Sequence, residues 1–271
     1  MPVRAILLDL DNTLLLEDAA TGSAIRLTSE RAAERIDGDP AAIASSAATA
    51  AEDLFRASPV FSYADEMGIW WGEALWGGFA GDAPGLRSLR AFAPAFRLAV
   101  WTNALGAAVG AGDALARELV SAFIEARRSE WAIDPATIPT LDALAARYRL
   151  ALVTNGAPDV QREKIAATGL ARYFAAVVIS AELGIGKPDR RIFDAALDAI
   201  GASAREAVMV GDSIERDVVG AHAAGVRTVW LDRDGAARDR SPRPDARIAE
   251  LGDLRTALAA IEDLASTAQS A

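Results

Sequence analysis

The sequence contains no cysteine and a single histidine, His222. The first absence excludes a disulfide framework, a thiolate metal cage and a cysteine nucleophile; the second excludes a multi-histidine zinc site and catalysis by a histidine pair. Positive charge is scarce too: 28 Lys and Arg stand against 38 Asp and Glu, a formal net charge of −10. A protein whose main task is to grip a phosphate backbone needs a clustered basic surface, so nucleic acid is not an expected partner. Long apolar runs are also missing. The run from Val3 to Leu8 stops at Asp9, too short for a secretion signal or a membrane span, and the expectation is a cytoplasmic protein with no membrane partner. What remains is globular in composition, with 52% hydrophobic and 24% charged residues over 271 positions. A chain of that length buries about three quarters of the surface it exposes when unfolded.

Val3 to Leu8 is almost continuously apolar, the pattern of a strand buried on both faces of a parallel sheet, and it ends in an acidic turn, Asp9-Leu10-Asp11-Asn12-Thr13. Similar runs recur at Arg149 to Thr154, Ala176 to Ser180, Ala207 to Gly211 and Val226 to Leu231. Between them lie helical patterns closed by glycine: Pro158 to Thr168 before Gly169, Asp189 to Ile200 before Gly201, and Ser213 to Ala224 before Gly225. Alternating strands and helices predict an α/β fold with a doubly wound parallel sheet, Rossmann-like, whose ligands sit beyond the carboxyl ends of the strands.

Residues 17–131 break this alternation. They are alanine-rich, mostly helical in periodicity and interrupted by Gly77-Gly78, Gly81 and Pro84-Gly85, which reads as an inserted all-helical module. The expected division is therefore a core of residues 1–16 and 132–264, a helical insert at 17–131 and a frayed tail at 265–271. Five of the six tryptophans (Trp70, Trp71, Trp76, Trp101 and Trp131) fall within the insert or at its end. Such rings either line a substrate pocket or form the insert's own core, and the second is the more economical reading.

The chemistry collects at the strand ends. Asp9 and Asp11 stand two apart, so both carboxylates face the same opening if the extended geometry persists. Such a pair lets one carboxylate attack while the other trades a proton, or both hold a hard cation; alone it is also an ordinary acidic turn. Its company narrows the choice: Thr154-Asn155-Gly156, Lys187-Pro188 and Gly211-Asp212-Ser213-Ile214-Glu215-Arg216-Asp217 each follow a later strand. A carboxylate nucleophile, a hydroxyl with backbone amides, an ammonium and further carboxylates are what phosphoryl transfer needs.

With these motifs in this order, the sequence resembles the haloacid dehalogenase superfamily, in the branch with a helical cap inserted after the first motif. The resemblance covers residues 1 to 16 and about 135 to 260. It implies that Asp9 is the nucleophile that becomes an aspartyl-phosphate, and that Asp11 protonates the leaving oxygen and then activates water. It also implies a Mg2+ ion held by the Asp9 carboxylate, the Asp11 backbone carbonyl and Asp212, with Asp217 in a supporting role. Thr154 and the Asn155 amide would bind phosphoryl oxygens, Lys187 would offset charge as a compact ammonium, and the cap would close to exclude water. The Gly211 to Asp217 turn and the stretch Val226 to Asp232 are similar to acylneuraminate 9-phosphate and pyrimidine nucleotide phosphatases of this branch.

Competing readings are weaker. Arg97 to Asn103 imitates Arg149 to Asn155, but Thr102 stands too far from Lys187 for one helix and one strand, so it is assigned to the insert. Gly184-Ile185-Gly186-Lys187 lacks the first glycine and the Ser or Thr of a nucleotide-binding loop. His222, Arg190 and Arg191 receive no role. The expected activity is magnesium-dependent hydrolysis of a small phosphorylated metabolite, a sugar phosphate or a nucleoside monophosphate. The alternatives are a 2-haloacid dehalogenase, whose relatives typically lack an acid at the Asp11 position and need no metal, and a non-catalytic binding protein.

Overall fold

Six strands among the described residues pair into one parallel sheet in the order β3-β2-β1-β4-β5-β6, with β1 at Ala5–Leu8, β2 at Arg149–Thr154, β3 at Ala176–Ile179, β4 at Ala207–Gly211, β5 at Arg227–Leu231 and β6 at Ala246–Ile248. This computed structural model describes residues 2–106, 112–129, 131–233, 235 and 242–267. The expected α/β parallel-sheet core is present. The expected strands recur within one or two residues at their ends, and β6 is an addition. Its three residues follow Pro242 and Pro244 and carry only one buried side chain, Ile248, so it leaves almost no apolar pattern to read.

The chain divides into two compact units: Met1–Leu16, Ile133–Asn155 and Ile165–Ala271 form the first, Glu17–Ala132 and Gly156–Lys164 the second. In the first, alternation along the strands sends side chains to opposite faces. Ile6, Leu8, Leu150, Leu152, Val208 and Val210 pack with Leu141 and Leu144 of α7 (Thr137–Ala145) and with Leu254, Leu258 and Ile261 of the terminal helix, Leu254–Thr267. Ala5, Leu7, Ala151, Val153 and Met209 pack with Ile192, Phe193, Ala196 and Leu197 of α9 (Arg190–Ile200) on the other face. Strand order reverses where β1 lies between β2 and β4, and in open α/β sheets that is where a ligand crevice forms. The tail expected from residue 265 differs at its start, because residues 265–267 continue the terminal helix; residues 268–271 lie outside the described residues.

The second unit is helical: α1 (Glu17–Ile36), α2 (Pro40–Arg56), α3 (Phe61–Met67), α4 (Trp71–Ala74), α5 (Pro84–Leu105) and α6 (Gly112–Ser129). It also takes in the first part of α8 (Pro158–Ala167), which the sequence pattern alone assigns to the sheet. The reason is a buried ionic network. Arg127 Nη2 lies 2.6 Å and Lys164 Nζ 3.0 Å from Glu17 Oε2, and all three side chains are at most 2% exposed. The Arg127 guanidinium sits 5.1 Å from the ring centres of both Trp76 and Trp131. Trp76 and Trp101 are buried in this unit, as a core reading of the tryptophans requires. The decoy Arg97 to Asn103 is helical, inside α5. No helix among the described residues is long and apolar enough to cross a membrane.

Candidate active site

β1 delivers Asp9 to the carboxyl edge, where its backbone N–H still donates to Val210 O at 3.0 Å, continuing the β1–β4 pairing. The chain then turns sharply. Asn12 adopts a left-handed conformation (φ 59°), which a short polar side chain tolerates. The turn returns the Thr13 hydroxyl to Asp9 Oδ2, to which it donates at 3.0 Å. Arg233 braces the same turn, donating to Thr13 O at 3.1 Å while pairing with Asp134 at 2.7 Å.

Lys187 connects three motifs. Its Nζ donates to Asp9 Oδ1 at 2.6 Å and to Asp217 Oδ1 at 2.7 Å, with all three side chains buried. Its backbone is clamped by Asn155: the Lys187 N–H donates to Asn155 Oδ1 at 2.8 Å, and Asn155 Nδ2 donates to Lys187 O at 2.9 Å. The Asn155 side chain therefore positions the lysine. Thr154, 1% exposed, ends β2 with its hydroxyl 3.3 Å from Asn155 O, a long contact.

Asp217 uses both carboxylate oxygens within the protein, Oδ1 on Lys187 and Oδ2 on the Ser213 N–H at 3.0 Å. The chain forms this loop because Gly211 lacks a side chain: a Cβ there would lie 2.2 Å from Asp217 Oδ2. Ser213 caps the following turn, accepting from Arg216 N at 3.2 Å, and Trp230 Nε1 donates to Asp212 O at 2.8 Å, fixing the backbone of that residue.

Asp9, Asp212 and Asp217 each offer an oxygen within 4.8 Å of the others. The Asp11 carboxylate is outside this cluster; the residue lies half-buried two positions after Asp9. Three clustered carboxylates face one ammonium, and the protonation equilibria respond. Burial, then the charges of Asp9 and Asp217, push Asp212 up to about 8. Burial also raises Asp9, against the opposing pull of Lys187. Burial alone would lower Lys187, but Asp217 and Asp9 outweigh it and raise the ammonium well above its ordinary value. A divalent cation suits this donor set, because hard oxygen ligands and excess negative charge are what such an ion neutralises.

The structure thus brings Asp9, Lys187, Asp212 and Asp217 into one cluster and ties Asn155 to it. Thr13, Ser213, Trp230 and Arg233 are supporting residues that the sequence reading did not assign. Thr13 was within reach of it, as a hydroxyl four residues after a carboxylate in a tight turn. Trp230 and Arg233 carried no local signal.

A family model described as haloacid dehalogenase-like hydrolase matches residues 3–225. The chain is 42% identical over 253 residues to a phosphoserine phosphatase of Thermus thermophilus, covering 93% of this chain and 97% of that protein. A solved 2-haloacid dehalogenase from Pseudomonas syringae pv. Tomato is similar at a TM-score of 0.59 and 29% identity, over 96% of this chain and 99% of that one. A haloacid dehalogenase-type phosphatase from Thermococcus onnurineus is similar at 0.59 and 26%, over 94% and 98%. With most of its length inside the family model and a nearly full-length relative at 42% identity, the chain belongs to the haloacid dehalogenase-like hydrolases.

Proposed function

We propose that this enzyme is a Mg2+-dependent phosphomonoesterase acting on a small phosphorylated metabolite through an aspartyl-phosphate. The observation that carries the reading is the buried cluster in which Lys187 Nζ bridges Asp9 and Asp217 at 2.6 and 2.7 Å beside Asp212, with a second acid, Asp11, two residues after the first. Asp9, Asp212 and the Asp11 backbone carbonyl would hold the cation, with Asp217 supporting it through Lys187 and Ser213. When bound, the ion supplies positive charge for the phosphoryl oxygens.

The remaining work belongs to the chain. An Asp9 carboxylate oxygen attacks phosphorus and forms an O–P bond as the ester P–O bond breaks, and Asp11 gives its proton to the departing alkoxide. Water then attacks phosphorus and gives its proton to Asp11; the bond to Asp9 breaks and inorganic phosphate leaves. Thr154 and the Asn155 backbone amide hold phosphoryl oxygens, and the Lys187 ammonium offsets their charge.

Residues 17–131 act as the cap that selects the substrate. The similarity to the Thermus phosphoserine phosphatase adds O-phosphoserine to the candidates beside sugar phosphates and nucleoside monophosphates. The deciding experiment is phosphate release from a panel of these compounds and an aryl phosphate, with Mg2+ or with chelator, for wild type and Asp9→Asn. Release that needs both the ion and Asp9 is the expected result; release by Asp9→Asn at the wild-type rate would overturn it. The similarity to a 2-haloacid dehalogenase at 29% identity favours carbon–halogen cleavage as the second reading. Chloride release from 2-chloropropionate, with no phosphate release, would establish it.

A further inference from the structure

One peptide bond beyond Asn155 the chain enters a buried network that neither the acid cluster nor the phosphoryl group uses. Glu73 of α4 is 1% exposed. Its Oε2 accepts the backbone N–H of Ala157 at 3.1 Å, and its Oε1 accepts from Gln161 Nε2 at 3.2 Å. Gly156 lies in the positive-φ region (φ 144°), and a Cβ built there would fall 2.2 Å from Gln161 Nε2 and 2.7 Å from Glu73 Oε1. The carboxylate therefore sits in the space a side chain at 156 would occupy.

The contact is reciprocal. Asp159, in the first turn of α8, accepts the N–H of Gly78 at 2.8 Å on Oδ2 and that of Ala80 at 3.2 Å on Oδ1. The segment carrying Glu73 is held in turn by α5, where Arg97 Nε donates to Ala74 O at 2.8 Å and Arg90 Nη2 to Phe79 O at 3.0 Å. A carboxylate buried this deeply costs several kcal/mol (roughly) unless it is charge-compensated and hydrogen-bonded. Here the Lys164 ammonium lies 3.9 Å from Glu73 Oε1, and the carboxylate also meets backbone and amide N–H groups at the start of a helix, where the macrodipole favours negative charge.

We propose that Glu73 is a positioning residue for phosphoryl binding. Asn155 is pinned on one side by its side-chain clamp on Lys187, and Glu73 fixes Gly156 and Ala157 on the other. The two sets of contacts flank the Asn155 backbone amide along the chain. Phosphoryl affinity thus depends on a residue of the inserted segment that touches neither substrate nor cation. The inference rests on the phosphatase reading above.

Steady-state kinetics of wild type, Glu73→Ala and Glu73→Gln test it, with inorganic phosphate as competitive inhibitor. A group that only orients an oxygen ligand contributes equally to ground and transition states, so its loss raises KM and leaves kcat. Glu73→Ala is expected to raise KM and the phosphate inhibition constant in parallel, about tenfold, with kcat within about twofold. Glu73→Gln keeps one acceptor oxygen and is expected to rise only about threefold. A purely structural role would lower kcat with the active fraction and leave KM unchanged, and that result overturns the proposal. If Glu73→Ala does not fold, Glu73→Gln decides alone: a parallel rise in both constants supports the proposal, and wild-type values overturn it. A wild type that releases no phosphate from any panel member defeats the phosphatase reading and this proposal with it. An active wild type beside an unaffected Glu73→Ala defeats only this proposal.

Discussion

Lys187 and Asp217 form a buried ion pair, Nζ to Oδ1 at 2.7 Å, and the same ammonium reaches Asp9 at 2.6 Å. Removing one partner of such a pair leaves uncompensated charge in a dry site, which costs about 3–5 kcal/mol. Lys187→Met is therefore expected to lose about that much stability in urea unfolding without cation. Its phosphate release should fall at least about a hundredfold, as for loss of a preorganised charge at the reacting group. Adding Asp217→Asn to Lys187→Met removes one of the stranded carboxylates and should return part of the stability but none of the activity. A double variant that costs as much as the two single changes added together would show that the pair does not couple.

Asp212, raised to about 8, and Asp9, also raised, set how stability depends on pH without cation. Both hold protons in the folded chain that the unfolded chain releases near 3.8. Their contribution is therefore complete below that value and is lost as pH rises through the folded values. A cation must displace these protons, so its stabilising effect is expected to grow with pH. Thermal melts with chelator and with Mg2+, between about pH 5 and about pH 9, should diverge as pH rises. Parallel curves would remove the carboxylate cluster from the cation site.

Much of the core is legible in the sequence because its signals are local. A strand buried on both faces reads as a continuous apolar run, as in Ala-Ile-Leu-Leu at Ala5–Leu8, and each run ends at a polar turn whose residue types announce their chemistry. The edge strand Ala246–Ile248 escapes because an edge needs only one buried side chain. Relationships between distant positions escape as well. Nothing beside Asn155 indicates that its side chain grips Lys187, 32 residues on. Nothing near Glu17 indicates an arginine 110 residues away, and Glu73 has no local feature to separate it from surface acids.

Glu17 provides a pH dependence of opposite sign. Burial would raise it, but Lys164 and Arg127 outweigh that effect and lower it from the ordinary 4.5. Its contribution to stability is present above that value and is lost as pH falls through the lowered one. Glu17→Gln leaves Arg127 and Lys164 without their shared carboxylate and is expected to cost about 3–5 kcal/mol at neutral pH. The cost should shrink in acid, where the wild-type carboxylate also becomes protonated. Urea midpoints for the two proteins that fail to converge as pH falls through the lowered value would show that Glu17 is not the group responsible.

Two glycine-to-alanine exchanges separate space from backbone freedom. Gly211 has no positive φ, so alanine suits its backbone, but the new Cβ would meet Asp217 Oδ2 at 2.2 Å and Cγ at 2.3 Å. Asp217 is 1% exposed and tied to Lys187 and Ser213, so it cannot swing away without breaking the cluster. Gly211→Ala is expected to cost about 1–3 kcal/mol, as overpacking does, and to lose most phosphate release by displacing the carboxylate. Gly22, exposed inside α1, has nothing within 4 Å of a built Cβ. There alanine only removes unfolded-state freedom and should stabilise by about 0.4–1 kcal/mol with activity unchanged. The same chemical change thus carries opposite signs at the two positions. An active, undestabilised Gly211→Ala would mean that Asp217 can move, and with it the lysine that ties it to Asp9.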